Sequence, residues 1–258
     1  MGSASETRQF PASGKRRVIA LIAAAGQGSR LGAQLPKAYV ALRGKTLLER
    51  SIQAMMTSEI VDEIIVLISP EMHDYAQRIV GVSQQFDPTI PIRLVFGGGE
   101  RADSVWCGLQ AITDTAAVVL IHDAARALTP PGMIARVART VLSGEPAVIP
   151  VLPVADTIKQ VADDHVVTTP ARSELRTVQT PQGFDLKVLR EANQRYFAQD
   201  PPSFEATDDA SLMEWCGHTV RCVAGDPMAF KITTPIDYAL AKAITDAAEP
   251  TIFEVPHE

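Results

Sequence analysis

The chain has 258 residues, with 24 Lys plus Arg against 30 Asp plus Glu and a formal net charge of −6. Hydrophobic residues make up 46% and charged residues 21%, which excludes a disordered, collagen-like or coiled-coil chain. The sequence pI is near 5.4, whereas nucleic-acid-binding domains usually lie above about 9, so no nucleic-acid partner is expected and any anionic ligand must be met by cations gathered at one site.

No apolar run approaches the ~18 residues of a membrane span, and Val18–Ala25 is the longest candidate, so no membrane partner is expected. Cys107, Cys216 and Cys222 form no CxxC pair, as expected of reduced thiols in a cytoplasmic protein. Residues 1–17 (MGSASETRQFPASGKRR) lack the apolar stretch of a secretory signal and read as a disordered extension. Residues 18–248 read as one domain and 249–258 as a tail.

Five short, β-branched runs read as strands: Val18–Ala24, Glu63–Ile68, Ile92–Phe96, Ala117–Ile121 and Ala147–Leu152. They are apolar on both parities, so both faces of their sheet should be covered. Helices fall between them. Thr46–Met56 opens on TLLE, with Thr46 and Glu49 spaced as a capping box. Ser69-Pro70 reads as an N-cap with proline at the first helical position. Asp103–Ile112 and Pro131–Leu142 are further helices. This alternation predicts an α/β fold with a doubly wound, mainly parallel sheet.

After Pro153 the rhythm breaks. Residues 154–170 alternate around a polar Ala162-Asp163-Asp164 and predict a β-hairpin arm. The arm either packs on another subunit or folds back on its own domain; the pattern allows both. Helices at Leu186–Ala198 and Asp208–Cys216, a strand at Thr219–Val223 and a helix at Thr234–Ala247 complete the chain.

The first strand runs straight into AAAGQGSRLG and then LPK. Small residues after a strand let backbone N–H groups approach a ligand closely and cradle phosphate oxygens. A dinucleotide loop wants GxGxxG entering a helix, but Gly26, Gly28 and Gly32 are spaced GxGxxxG and Pro36 follows. A P-loop wants GxxxxGK and then Ser or Thr, but Lys37 is flanked by Pro36 and Ala38. An open loop that wraps a nucleoside triphosphate and ends in a fixed lysine fits better. A glycine-rich surface turn is the plain alternative.

The motif AAAGxGxRLGxxxPKAY, followed by the TLLERS helix, resembles the nucleotidyltransferases that activate sugar or polyol phosphates. GGGERADSV (97–105) and HDAAR (122–126) come next. DTIK (156–159), TPQ (180–182), TDDAS (207–211) and FKIT (230–233) then follow in order. The ordered set, from about Val18 to Ala247, is similar to the 2-C-methyl-D-erythritol 4-phosphate cytidylyltransferase family, the CTP-using enzymes of the non-mevalonate isoprenoid route. The chain departs from the family pattern at Ala127, Gly99 and Ser29, without removing a charge.

The resemblance implies a Rossmann-like nucleotidyltransferase fold and a reaction of CTP with methylerythritol phosphate that expels pyrophosphate. It implies Arg30, Lys37, Arg172 and Lys231 as catalytic cations. Ala24, Ala25, Gly26, Gly28, Gly98, Ser104, Asp123 and Ala124 would bind the nucleotide. Arg126, Thr157, Arg172, Thr180, Thr207 and Lys231 would bind the polyol phosphate. Asp123 would hold Mg²⁺, the implied cofactor. Arg101 is a candidate bridge between carboxylates near the base site. The arm would reach a neighbouring subunit's site, which implies a homodimer. His122 reads as a packed strand-end histidine.

Three other readings compete with this one. A cytidylyltransferase for another polyol phosphate, such as ribitol 5-phosphate, would share the nucleotide motifs. An NAD-binding oxidoreductase is disfavoured by the glycine spacing and by Glu49 lying inside a helix. A non-catalytic nucleotide-binding regulator would not need so many cations.

Overall fold

The computed structural model describes residues 16–26, 35–199 and 204–247. In chain order, β1 (Arg17–Ala23) is followed by a short hairpin of β2 (Ala41–Leu42) and β3 (Lys45–Thr46). Then come α1 (Leu47–Thr57), β4 (Glu63–Ile68), α2 (His73–Phe86), β5 (Ile92–Phe96), α3 (Arg101–Ala111), β6 (Ala117–Asp123), α4 (Pro131–Leu142) and β7 (Ala147–Pro153). The second half adds β8 (Gln160–Ala162), β9 (His165–Thr168), β10 (Arg176–Val178), β11 (Gln182–Asp185), α5 (Leu186–Phe197), α6 (Asp209–Trp215), β12 (Arg221–Ala224) and α7 (Pro235–Ala247).

The main sheet runs β10-β7-β11-β6-β1-β4-β5, with β12 also paired to β7. Strands β6, β1, β4 and β5 are mutually parallel. The fold is therefore α/β with a mostly parallel centre. Val18 to Ile22 are fully buried, and their alternation feeds two cores. Val18, Ala20 and Ile22 join the core under α1, α2 and α4, while Ile19 and Leu21 join the core under α3 and α5. Burying each large side chain of this kind stabilises the fold by about 1.5–3 kcal/mol, so the central strand anchors both layers.

The Thr46–Glu49 capping box forms: Glu49 N donates to Thr46 Oγ1 at 3.1 Å and Thr46 N donates to Glu49 Oε2 at 2.5 Å. The arm is a separate two-stranded sheet whose turn residues Asp163 and Asp164 have φ of 47° and 62°. Two positive φ values in a two-residue loop make the type I′ turn that suits the right-handed strand twist.

Several expectations are corrected. Strand β5 fully buries only Ile92, because its outer edge is unpaired, although Leu94 packs on the core under α2 and Val95 on the core under α3. The segment after Ser69 begins as a 3₁₀ turn, Pro70–Met72, without a side-chain cap; α2 starts at His73. Helix α3 starts at Arg101 and not at Asp103, because Asp103 accepts from Glu100 N at 2.9 Å and closes the first turn from inside. The last strand is Arg221–Ala224, displaced from Thr219–Val223. Arg16 and Arg17 were assigned to the extension but belong to the domain: Arg17 opens β1, and Arg16 pairs with Asp185 at 2.6 Å. The rest of the extension, residues 1–15, and the tail, 249–258, lie outside the described residues, as does residue 248.

Strands β10 and β11 were not foreseen. Residues 176–185 run antiparallel along β7, and Gln182–Asp185 also pairs with β6. The polar stretch TVQTPQGFD carries no strand periodicity. Gly183 lets it pass under α4, where a Cβ would lie 2.7 Å from Val137 Cγ1. Among the described residues, no helix is long and apolar enough to cross a membrane.

Candidate active site

A cleft opens at the carboxyl ends of β1, β5 and β6, where open α/β sheets bind ligands. Its walls are largely backbone. Ala24, Ala25 and Gly26 leave β1, Gly98 and Gly99 leave β5, and Ala124 and Ala125 leave β6. At Gly98 the absence of a side chain is required, since a Cβ there would lie 2.2 Å from Asp103 Cβ, whereas one on Gly26 would meet nothing within 4 Å among the described residues. The wall is pinned from below by Ser51 of α1, which donates to Ala124 O at 3.1 Å.

The charged groups lining the cleft, among the described residues, are Lys37, Glu100, Arg101, Asp123 and Lys231. Among the described residues, no histidine or cysteine lines it. Lys37 stands on the 3₁₀ turn Lys37–Tyr39 behind Pro36. Lys231 comes from the opposite end of the domain, and Ile232 N donates to Ala125 O at 2.9 Å, docking that segment beside the end of β6. Lys231 Nζ then lies 2.7 Å from Asp123 Oδ2, and Arg101 Nε lies 3.3 Å from Asp123 Oδ1. Burial alone would favour a neutral Asp123, but Arg101, Lys231 and Arg126 outweigh it and hold the carboxyl well below the usual range.

Arg101 is shared: its Nη2 is 2.7 Å from Asp209 Oδ2 at the start of α6. Burial works against the charge on Arg101, yet Asp209 and Asp123 together raise its pKa further above the ordinary value. Asp209 shifts the other way. Burial pushes its carboxyl up, and Arg101 offsets that only in part. Arg101 thus bridges two carboxylates.

Ala24, Ala25, Gly26, Lys37, Gly98, Ser104, Asp123, Ala124 and Lys231, all expected at the site, line this one cleft. Arg30 and Gly28 lie outside the described residues. Ser104 Oγ donates to Glu100 O at 2.9 Å, so it also ties the first turn of α3 to the cleft. Arg126 does not line the cleft. Its guanidinium donates to Ala229 O at 2.8 Å and to Val178 O at 3.2 Å, while its Nε is buried with no hydrogen-bond partner among the described residues.

Thr180 is buried, and its hydroxyl is engaged: Oγ1 accepts from Asp123 N at 3.0 Å and lies 3.1 Å from His122 Nδ1. His122 is fully buried, and burial first, then the charge of Arg126, brings its pKa down to about 4 against the raising effect of Asp123. It is a packed strand-end residue. Thr207 lines a small hollow on the other side of Arg101, together with Tyr196, Asn193 and Asp208. Thr157 and Arg172 belong to the exposed arm region, away from this cleft's lining, and Arg172 Nη1 donates to Ala155 O at 2.8 Å. Asp209 and Gln182 were not singled out. Their signal was present in the motifs TDDAS and TPQ, but neighbouring threonines drew the assignment.

The family model described as IspD, 2-C-methyl-D-erythritol 4-phosphate cytidylyltransferase, matches residues 18–247. A 2-C-methyl-D-erythritol 4-phosphate cytidylyltransferase of Corynebacterium diphtheriae is 69% identical over 243 residues, covering 94% of this chain and 99% of that protein. The protein of the same name from Rhodococcus jostii is 49% identical over 236 residues, covering 91% and 98%. Among solved structures, 4-diphosphocytidyl-2C-methyl-D-erythritol synthase from Anaerococcus prevotii superposes with a TM-score of 0.78 at 29% identity, covering 90% of this chain and all of that one. The cytidylyltransferase from Thermus thermophilus gives 0.70 at 33% identity, covering 89% and 99%. The glycine-lined cleft, its cations and these matches along nearly the whole chain agree: the chain belongs to the 2-C-methyl-D-erythritol 4-phosphate cytidylyltransferase family.

Proposed function

We propose that this chain joins CTP and 2-C-methyl-D-erythritol 4-phosphate to give 4-diphosphocytidyl-2-C-methyl-D-erythritol and pyrophosphate. A phosphate oxygen of the polyol phosphate forms the new bond to the α-phosphorus of CTP, and the bond from that phosphorus to the bridging oxygen of pyrophosphate breaks. The observation that carries this reading is the backbone-lined cleft in which Lys231 and Arg101 pair with Asp123 and Lys37 shares the lining, in an otherwise acidic chain.

The attacking phosphate has a second pKa of about 6 and is largely dianionic near neutrality, so it needs no general base. The described residues of the lining include no histidine or cysteine. The work left to the protein is to hold two anions together and to stabilise charge on the α-phosphoryl oxygens. Lys231 and Lys37 would do this, with Arg30 from the glycine loop. Close backbone approach at Ala24–Gly26 and Gly98 would select a pyrimidine over a larger purine.

Magnesium fits this donor set. Among the described residues no group of three or more His, Cys, Asp or Glu is assembled, but Mg²⁺ binds through one or two carboxylates plus substrate phosphates. Asp123, kept ionised, would hold it, and the ion would neutralise charge between phosphates. Arg126, whose charge acts on Asp123, would add to the positive field that meets the polyol phosphate.

The arm supports a homodimer. Val161, Val166 and Val167 are about 60% exposed in the single chain, which is costly unless a second copy covers them. Thr157 and Arg172 would then complete the partner's site. The cysteines are free, which suits the cytoplasm. The family match favours methylerythritol phosphate over ribitol 5-phosphate and over a nicotinamide cofactor. The test is pyrophosphate release across a matrix of nucleotides and acceptors. Release is expected only with CTP, methylerythritol phosphate and Mg²⁺ together; equal turnover with ribitol 5-phosphate would overturn the acceptor assignment.

A further inference from the structure

Asp209 belongs to a closed ring of contacts around Asp123. Asp123 N donates to Thr180 Oγ1 at 3.0 Å. Two residues further along the chain, at the start of β11, Gln182 grips the start of α6 with both ends of its amide: Nε2 donates to Asp208 Oδ2 at 2.7 Å, and Oε1 accepts from Ala210 N at 3.1 Å. Between those two contacts stands Asp209, facing Arg101 Nη2 at 2.7 Å, and Arg101 Nε returns to Asp123 at 3.3 Å. Thr180, Gln182 and Asp209 are all buried.

The two distances on Arg101 differ in meaning. The contact to Asp209 is a close ion pair without hydrogen-bond alignment and the contact to Asp123 is a long but aligned hydrogen bond, so each carboxylate holds one side of the guanidinium. A guanidinium facing a single buried carboxylate would close on it with two parallel bonds. Asp209 prevents this by drawing the fork aside, and Asp123 Oδ2 stays with Lys231 at 2.7 Å. A buried carboxylate is also costly to keep, and none of the catalytic roles implied by the family motifs uses this one.

We infer that Asp209 is a positioning residue for the nucleotide site: it divides Arg101 between two carboxylates and so keeps Asp123 and Lys231 available to CTP. This inference rests on the reading of the cleft as the CTP site. The motifs TPQ and TDDAS then serve as structural members of that site through Gln182, Asp208 and Asp209, in addition to their threonines.

The test is calorimetric binding of CTP with Mg²⁺ to the full chain, without acceptor, alongside steady-state kinetics. Asp209→Asn should weaken CTP binding about tenfold or more, leave the KM for methylerythritol phosphate within about threefold, and keep the melting midpoint close to that of the wild type. Asp209→Glu should recover most of the loss, since it restores the charge. Wild-type CTP affinity in a folded Asp209→Asn variant overturns the inference, as does an equal loss for both substrates. Should that variant not fold, Arg101→Lys carries the test, because one ammonium cannot span both carboxylates. A CTP-selective loss is expected there, and unchanged affinity overturns the inference. Wild-type protein that binds CTP but releases no pyrophosphate with the acceptor would refute the proposed reaction and not this role.

Discussion

Lys231 Nζ sits 2.7 Å from Asp123 Oδ2, a pair that joins the segment before α7 to the end of the central strand β6. The carboxylate side chain is 12% exposed and the lysine side chain 44%. The ammonium therefore reaches out of a buried anchor, with donors left over for a phosphate.

Lys231→Ala should keep its fold, since Asp123 retains Arg101 and Ile232 N still bonds Ala125 O. Turnover should fall roughly 10²–10³-fold, the usual cost of losing one preorganised group on developing charge. Pyrophosphate release and a circular-dichroism melt measure the two separately. A rate within a factor of about three of wild type would remove Lys231 from the clamp.

His122 makes acid stability a specific expectation. Its folded pKa is about 4 against an ordinary 6.5, the main cause being burial. Between those values the unfolded chain binds the extra proton and the folded chain does not, so stability should fall as pH drops from about 6.5 to about 4. At 1.36 kcal/mol per unit the loss is at most about 3 kcal/mol. His122→Asn, which keeps a polar group near Thr180, should flatten that part of the curve. Urea midpoints every half unit of pH give the comparison, and parallel curves for the two proteins would show that His122 is not the titrating group.

Much of this architecture was legible in the sequence. Val18–Ile22 spells a strand buried on both faces because every position is apolar, and two cores do cover it. Thr46 and Glu49 announce a helix start through spacing alone. Asp163-Asp164 marks the arm's turn because short polar side chains tolerate positive φ. What failed to show was set by tertiary context. Gln182–Asp185 is a strand because β6 and β7 offer unpaired edges on either side of it, not because of its own pattern. Ile92–Phe96 looked doubly buried, yet its place at the sheet edge leaves one flank uncovered. At the site, the residues that line the cleft were readable as motifs. Asp209 was not, because its partner Arg101 is distant in sequence and a TDD start also reads as a plain helix cap.

The glycines before α3 should respond unequally. At Gly98 a Cβ would lie 2.2 Å from Asp103 Cβ and 3.3 Å from its carbonyl carbon, so helix backbone has to move, and Arg101 moves with it. At Gly99 the nearest atom would be Asp103 Oδ2 at 3.8 Å. Gly98→Ala should cost about 1–3 kcal/mol of stability by overpacking and weaken CTP binding about tenfold. Gly99→Ala should leave CTP affinity within about twofold. Equal effects in calorimetry would mean that the wall of the cleft is softer than the packing implies.

The arm allows a complementation experiment. If Arg172 serves the neighbouring subunit, an Arg172→Ala chain has an intact cleft and a faulty arm, while a Lys231→Ala chain has the reverse. In a two-fold dimer each mixed pair then contains one site built wholly from wild-type parts. Random exchange makes half the dimers mixed, so combining two nearly inactive variants should restore about a quarter of wild-type activity. Val161→Ser with Val166→Ser, which removes a cross-strand apolar pair from the exposed arm, should shift sedimentation towards the monomer and abolish the recovery. No gain on mixing, despite demonstrated subunit exchange, would mean that Arg172 acts within its own chain or not at all, and that the exposed valines need another explanation.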